Sequence, residues 1–485
     1  MRYRKRVTPR RLLALLCLAA ATLSAAEPGA RRLKKDVGYL ASDKLKGRGL
    51  GTPELEQAAD YIAQRMWHLG LQPGTSAGYF QKVPAEASVL KKTDLTFEAG
   101  STKLTLAGES VRALAARPVT LSGAGIIKVD RQSARQLKPD DVKGKVLIAT
   151  AFLGRGIPST AALTIVASPS DAGMFAKMPS VLDAKGTTAP RYRHGFATLQ
   201  AEGTRSPTGM LLTGDEAFSK WVAALPVGPV ADAKVTGSVE AQDREFNLRN
   251  VIGILPGSDP QLRDTCILVS AHYDHLGEAS SGTDRILNGA NDDASGVATM
   301  LAVARLLTTS KEKPKRSIVF AAWTGEEVGG LGSRFYRQFP VCAIEKTLAM
   351  INLEQTGRYD GEGGSGKNRA LVTGWGYSDV GKILTEAAQP LGVEIYAGPD
   401  EFFGRSDNLF LAQAGVPAHT VASSLEFPDY HKPTDSAEKL DYDHMALLSK
   451  AVTAGVAAIA NSATEPKWSE TVPGAAPYRK ARPAR

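Results

Sequence analysis

A chain of 485 residues with 43% hydrophobic and 22% charged side chains has an ordinary globular balance and room for two domains. Its net charge of +9 is a poor guide to partners. Six of its 59 basic residues stand among the first eleven, and without them the excess over 50 acidic residues falls from nine to three. The basic balance therefore carries no argument for nucleic acid, and no such partner is expected.

Those six charges (Arg2, Arg4, Lys5, Arg6, Arg10, Arg11) precede the apolar run Leu12 to Ala21, which is too short to span a bilayer. Ser24-Ala25-Ala26 then offers small residues for cleavage before Glu27. Residues 1–26 read as a signal peptide of an exported protein, periplasmic or extracellular, with no stable membrane anchor after cleavage. Arg10-Arg11 is a twin arginine compatible with export in the folded state. Cys17 follows Leu16, not the small residue a lipoprotein signal needs. The mature chain keeps Cys266 and Cys342, which sit in apolar runs and read as core thiols, with one disulfide open to a protein outside the cytosol.

From Arg31 to Gln81 the spacing predicts two helices and a turn. Leu33, Val37, Leu40 and Leu45 mark the first, and residues 58–66 the second, closed near Gly70. Arg48, among Gly47, Gly49 and Gly51, could hold a neighbouring loop but reads first as an exposed loop arginine, and His68 as structural. Between Val83 and Phe246 short β-type runs separated by Gly and Pro predict an inserted, mostly-β domain that covers a site or docks partners. It contains one histidine, His194.

After Asn247 strands and helices alternate. Strands are predicted at 251–255, 266–270, 317–323, 348–353, 370–373 and near His419, with helices over 294–310, 379–390 and 443–461. This pattern predicts an α/β fold: a mixed, largely parallel sheet sandwiched between helices. The peptide from Thr464 onward, rich in Pro, Lys and Arg, reads as a flexible tail.

The chemistry gathers at strand ends of this last region. His272-x-Asp274 follows the strand Cys266–Ser270, and Asp292 and Asp293 stand in a turn that leads into a helix. Glu326-Glu327 follows the strand ending at Trp323, Glu354 follows Leu353, and His431 lies in the loop before the last helix. Two histidines and three carboxylates at such places form a nitrogen and oxygen ligand set that suits zinc. A carboxylate shared by two metals would make a cocatalytic pair. His275 reads as a neighbour of the ligands or as structural, His419 as core and His444 as exposed. Arg405-Ser406-Asp407, in a loop, is a candidate wall of the substrate pocket.

These motifs resemble the di-zinc aminopeptidase and glutamate carboxypeptidase family, metallopeptidase family 28. The matching stretches are 271–277 (AHYDHLG), 289–296 (GANDDASG), 324–328 (TGEEV), 352–354 (NLE), 430–435 (YHKPTD) and 40–49 (LASDKLKGRG). The resemblance implies a peptidase domain over 27–82 and 247–463, an inserted protease-associated-like domain over 83–246, and two zinc ions per chain. His272 and Glu354 would bind one ion, Glu327 and His431 the other, and Asp292 both. Asp274 would support His272, Glu326 would be the general base toward a metal-bridging water, and Tyr430 would steady the oxyanion. Many family members carry Asp where this chain has Glu354, whose extra methylene changes reach and denticity. The resemblance favours an aminopeptidase with peptide substrates. The alternatives are a carboxypeptidase, a glutaminyl-cyclase-like acyltransferase with one zinc, and a non-catalytic receptor-like relative with lost ligands.

Overall fold

A computed structural model describes residues 28–115, 117–151, 160–167, 191–194, 209–279 and 282–481. The signal expected over 1–26 lies outside them. Helices α1 (Pro28–Leu40) and α2 (Pro53–His68) lead in. Thr52 caps α2 by accepting the Leu55 N–H, and Pro53 takes the first turn, where its missing N–H costs nothing. Strands β1 (Phe80–Ala99), β2 (Thr102–Ala107), β3 (Val119–Val129), β4 (Val146–Ala149), β5 (Leu163–Ala167) and β6 (Gly209–Thr213) follow, then helix α3 (Glu216–Ala224). The 28-residue strand β7 (Gly228–Leu255) runs out of this region and into the next. There the chain forms β8 (Cys266–His272), α4 (Ser295–Thr309), β9 (Ser317–Trp323), α5 (Leu331–Gln338), β10 (Thr347–Leu353) and β11 (Arg369–Val372). It continues as α6 (Asp379–Ala388), β12 (Glu394–Ala397), β13 (Ala418–Ala422) and α7 (Tyr442–Asn461).

The strand order of this second part is β12–β11–β13–β10–β8–β9–β7. All neighbours are parallel except β11 with β13 and β9 with β7. The expected mixed, largely parallel sheet is therefore present. Every residue of β8 is buried, because alternate side chains enter different layers. Ile267, Val269 and Ala271 pack with Leu33, Val297, Leu301, Leu448 and Val452 from α1, α4 and α7. Cys266 and Leu268 pack on the other face with Tyr336, Leu411 and Trp468. Helices thus cover both faces, and only the strand ends are free to carry chemistry.

The inserted region hangs on an antiparallel ribbon in which β1 pairs with β7 from Phe80 opposite Val251 to Ala99 opposite Ala233. Its own core holds Leu95, Phe97, Leu121, Val146, Leu211, Phe218 and Val235. Val83, Ala85 and Leu248 belong instead to the main core. The region is more than a β module, since β3, β4, β5 and β6 form a parallel ladder flanked by α3. The runs of β4 and β5 are buried throughout, and apolar runs of that length do not reveal strand direction.

Two further expectations change. Cys266 and Cys342 are joined in a disulfide across 76 residues, so they are not free core thiols. The peptide after Thr464 is not loose over its described length. Trp468 is buried and donates from Nε1 to the Gly415 carbonyl at 2.8 Å, Ala475 is buried, and Tyr478 stacks on Trp468. Aromatic burial outweighs the Pro and Lys content on which the tail reading rested. Among the described residues, no helix is long and apolar enough to cross a membrane.

Candidate metal centre

Register explains why distant residues meet. His272 on β8 lies level with Trp323 on β9, and Ser270 lies level with Asn352 on β10. Glu354, two residues beyond Asn352, therefore reaches the height of His272, and Glu326 and Glu327 follow Trp323 on the other side. The edge is locked from behind by Ser270 Oγ donating to Asn352 Oδ1 at 2.8 Å and Asn352 Nδ2 donating to Ser406 Oγ at 2.9 Å. Asp292 enters through the turn before α4, held by Asp435, whose carboxylate accepts the N–H groups of Asn291 and Asp292.

Asp292 stands between two groups of side chains. Its Oδ1 is 3.3 Å from His272 Nε2, which is 3.9 Å from Glu354 Oε1. Its Oδ2 is 3.1 Å from His431 Nε2, which is 3.3 Å from Glu327 Oε2. Within each group the candidate ligand atoms lie within 4.8 Å of one another, and the second group also includes His275. Neighbouring ligands on a tetrahedral zinc lie about 3.4 Å apart, given bonds of about 2.1 Å. The Nε2 atoms of His272 and His431 are buried without a hydrogen-bond partner despite their carboxylate neighbours. Lone pairs aimed between oxygens, and not at them, fit a cation.

The charges respond to this crowding. Burial pushes Asp292 upward, but His272 and His431 outweigh it and hold the carboxyl well below its usual range. Burial and Asp292 push Glu327 up while His275 and His431 pull it down to about 2. For Glu326 the Coulombic pull of His272 does not outweigh burial. Burial, with Glu354, Asp407 and Glu327 nearby, raises it well above the usual carboxylate range. Burial also raises Glu354.

The structure brings together all five expected ligands, with Glu326 and Tyr430 lining one cleft of about 410 Å³ that is open to solvent. Tyr430 stacks on His431 with ring centroids 3.8 Å apart. Arg405 and Ser406 line the cleft as well. Asp407 does not, since it is buried behind the wall and accepts from Ser333 Oγ. Asp274 differs from expectation. His272 Nδ1 is 3.2 Å from the Asp274 carbonyl oxygen and 3.8 Å from its carboxylate. The carboxylate instead accepts the N–H groups of Glu326 at 3.2 Å and Glu327 at 3.4 Å, so it sets the turn that carries both glutamates.

His275 stands beside the candidate ligands, as one of its two expected readings has it, with Nδ1 2.7 Å from Glu327 Oε1. Two other residues were placed wrongly by sequence reasoning. His444 is buried, not exposed, with Nε2 2.7 Å from Ser423 Oγ and Nδ1 accepting from the Asn368 N–H. Arg48 is fully buried beneath the metal-side turns. His419 is buried in β13, as expected of a core histidine.

The fold is α/β, and the strand ends gather side chains that could hold metal ions. Residues 250–456 match the family model described as Peptidase family M28. It is 28% identical over 232 residues to leucine aminopeptidase 1 of Trichophyton rubrum, covering 44% of this chain and 59% of that protein. With a probable zinc metalloprotease of Pyricularia oryzae it shares 26% over 321 residues, 55% of this chain and 62% of that one. The chain thus spans less than two thirds of these curated relatives. Among solved structures, the aminopeptidase from Aneurinibacillus sp. strain AM-1 superposes with a TM-score of 0.59 at 20% identity, covering 91% and 95% of the two chains. A zinc aminopeptidase from Bacillus subtilis gives 0.56 at 18% identity, covering 89% and 95%. At these identities the two structures establish a shared fold.

Proposed function

We propose that this chain is an exported, zinc-dependent exopeptidase with two metal sites that removes N-terminal residues from peptides. The observation that carries the reading is the division of Asp292, with one carboxylate oxygen beside His272 and Glu354 and the other beside His431 and Glu327. His272, Asp292 and Glu354 would hold one zinc, and Asp292, Glu327 and His431 the other. Glu354 reaches the first group in spite of its extra methylene. Zinc in such a site supplies Lewis-acid polarisation and makes a water acidic enough to act as a nucleophile near neutral pH.

The remaining work falls to the chain itself. Glu326 faces the cleft and belongs to neither ligand group, so it is the group placed to take a proton from the attacking water. As the water oxygen bonds to the peptide carbonyl carbon and the C–N bond breaks, that proton passes to the leaving amine. The Tyr430 hydroxyl is available to donate to the carbonyl oxygen as charge develops there. A free N-terminal ammonium is held by carboxylates, whereas a C-terminal carboxylate needs cations. The one basic residue that lines the cleft among the described residues, Arg405, is already paired with Glu426 at 2.5 Å, so it is not free to receive a C-terminal carboxylate. That pairing favours the aminopeptidase over the carboxypeptidase.

The test joins a zinc count with a substrate panel. Two zincs per chain and hydrolysis of amino-acid chromogenic amides are expected. Cleavage confined to dipeptides with acidic C-terminal residues would replace the reading with a carboxypeptidase. One zinc, or none, would favour the acyltransferase or the receptor-like alternative.

A further inference from the structure

Arg48 is a fully buried charge beside the centre that no step above uses. It is 0% exposed, and its backbone sits at φ 49°. Its guanidinium spans three segments. Nε donates to the Tyr273 carbonyl at 2.8 Å, Nη1 to the carbonyls of Leu40 and Asn288 (the latter at 2.7 Å), and Nη2 to the Gly289 carbonyl at 2.9 Å. Tyr273 lies between His272 and Asp274, and Asn288 and Gly289 open the turn that delivers Asp292.

The backbone around Arg48 repeats the stitch. The His275 N–H donates to the Arg48 carbonyl and the Gly277 N–H to the Gly47 carbonyl. Gly47 lies at φ 69°, where an added Cβ would fall 2.3 Å from the Gly277 oxygen and 2.4 Å from that of Leu287. Only glycine permits this approach. None of the four hydrogen-bond acceptors is charged. The charges that favour the guanidinium against burial are the carboxylates of Asp274, Asp435, Asp292 and Asp293. A guanidinium is the side chain suited to such a place, since its planar fork serves several acceptors at once and stays protonated.

We propose that Arg48 is a positioning residue of the metal centre, tying the turn at 272–275 to the turn at 288–292 and opposing the repulsion among the converging carboxylates before metal binds. The inference rests on the zinc reading, and the experiment separates the two. Arg48→Lys keeps the charge but cannot reach four carbonyls. Loss of a residue that orients metal ligands typically weakens metal binding by about 10–100-fold. The full chain, stripped by chelator and titrated with zinc against a chromophoric competitor, should show that loss in Arg48→Lys, with kcat reduced and KM little changed.

The control is Arg316→Lys. Arg316 is another buried arginine that donates to carbonyls, those of Ala460 and Ser462, and none of its bonds reaches the metal-side turns. It should lower thermal stability without weakening zinc. Equal loss of zinc affinity in both variants, or none in Arg48→Lys, overturns the role given to Arg48. A wild-type chain that takes up no zinc overturns the metal reading along with it.

Should Arg48→Lys fail to fold, hydrogen exchange on the wild-type chain decides. Binding linkage is reciprocal, so zinc should protect the amides of 40–49, which contain no ligand, along with those of 272–277. Unchanged exchange at 40–49 overturns the proposal.

Discussion

Among the described residues the molecule builds parallel β-sheet twice, and candidate metal ligands gather at the strand ends of only one. In the main layer, β10, β8 and β9 run side by side, buried throughout but for the first residue of β9, and each delivers a charged or imidazole group at its C-terminal end. In the inserted region, β4 and β5 are just as buried and parallel, but β4 runs out into Ala149-Thr150-Ala151. The acid after β6, Asp215, is consumed in capping α3 by accepting the Phe218 N–H. Similar backbones thus end in a candidate metal centre or in a helix cap according to the two or three residues past each strand. Sheet architecture supplies the edge, and the residues at the edge supply the reaction.

The sharpest way to break that contrast is to alter one residue at the reactive edge. Glu326→Gln keeps shape and hydrogen-bonding capacity but cannot accept the proton. It should cost about 10²–10⁴-fold in kcat while two zincs remain bound. Glu327→Gln weakens a group that must stay charged, so zinc content should fall together with activity. Metal analysis and kinetics on the two proteins check both outcomes. Zinc loss in Glu326→Gln, or near-normal turnover with full zinc, would undo the division of labour between these neighbours.

The next largest effect belongs to the disulfide. Closing a loop of 76 residues restricts the unfolded chain by about 4 kcal/mol on the chain-entropy account. Replacing Cys266 and Cys342 by Ala should lower the denaturant midpoint of the main layer and leave the inserted region's transition in place. Unfolding followed by fluorescence and by far-ultraviolet dichroism would show it, and unchanged stability would mean that the bridge does not form in solution.

How far the sequence foretold this molecule depends on the range of the interaction. The candidate ligands at strand ends were legible because short apolar runs and the residues after them are local features. His272, Asp292, Glu327, Glu354 and His431 each stand next to a recognisable strand, turn or loop. What stayed hidden was action at long separation. Arg48 meets Tyr273 across 225 residues, and nothing in the glycine-rich run around it marks a buried cation. His444 begins a helix among polar neighbours, yet Ser423 and Asn368 accommodate both ring nitrogens. Trp468 was overlooked in a stretch rich in Lys and Pro because composition does not show a docking groove. In the insert, an all-apolar run announced a strand but not its direction.

A smaller effect separates the regions by pH. Burial pushes His419 down to about 4, with the Thr373 carbonyl opposing it only in part. A histidine so lowered binds fewer protons folded than unfolded, so its stabilising contribution is full above about pH 6.5 and is lost as pH falls toward 4. The loss is about 3 kcal/mol for this residue, and it falls on the main layer. Melting the wild type and His419→Gln from pH 7 to pH 4.5 should give curves that converge on acidification. Parallel curves would show that His419 is not the buried neutral imidazole described here.

The smallest effect expected is the one that defines the boundary. No ligand candidate and no cleft residue comes from the inserted region among the described residues. Its removal should therefore spare the centre. The cut must respect packing, because Val83, Ala85 and Leu248 fill the main core and must stay. Ala87 lies opposite Arg244 in the β1–β7 ribbon, so a two-residue Asn-Gly turn joining them closes a hairpin without altering the register below it. The shortened chain should bind zinc and cleave a single-residue amide as the full chain does. If the insert roofs the cleft, the change appears in the ranking of long over short peptides. Loss of zinc from a folded, shortened chain would mean that the ribbon braces the strand ends, and that the boundary between the two regions lies elsewhere.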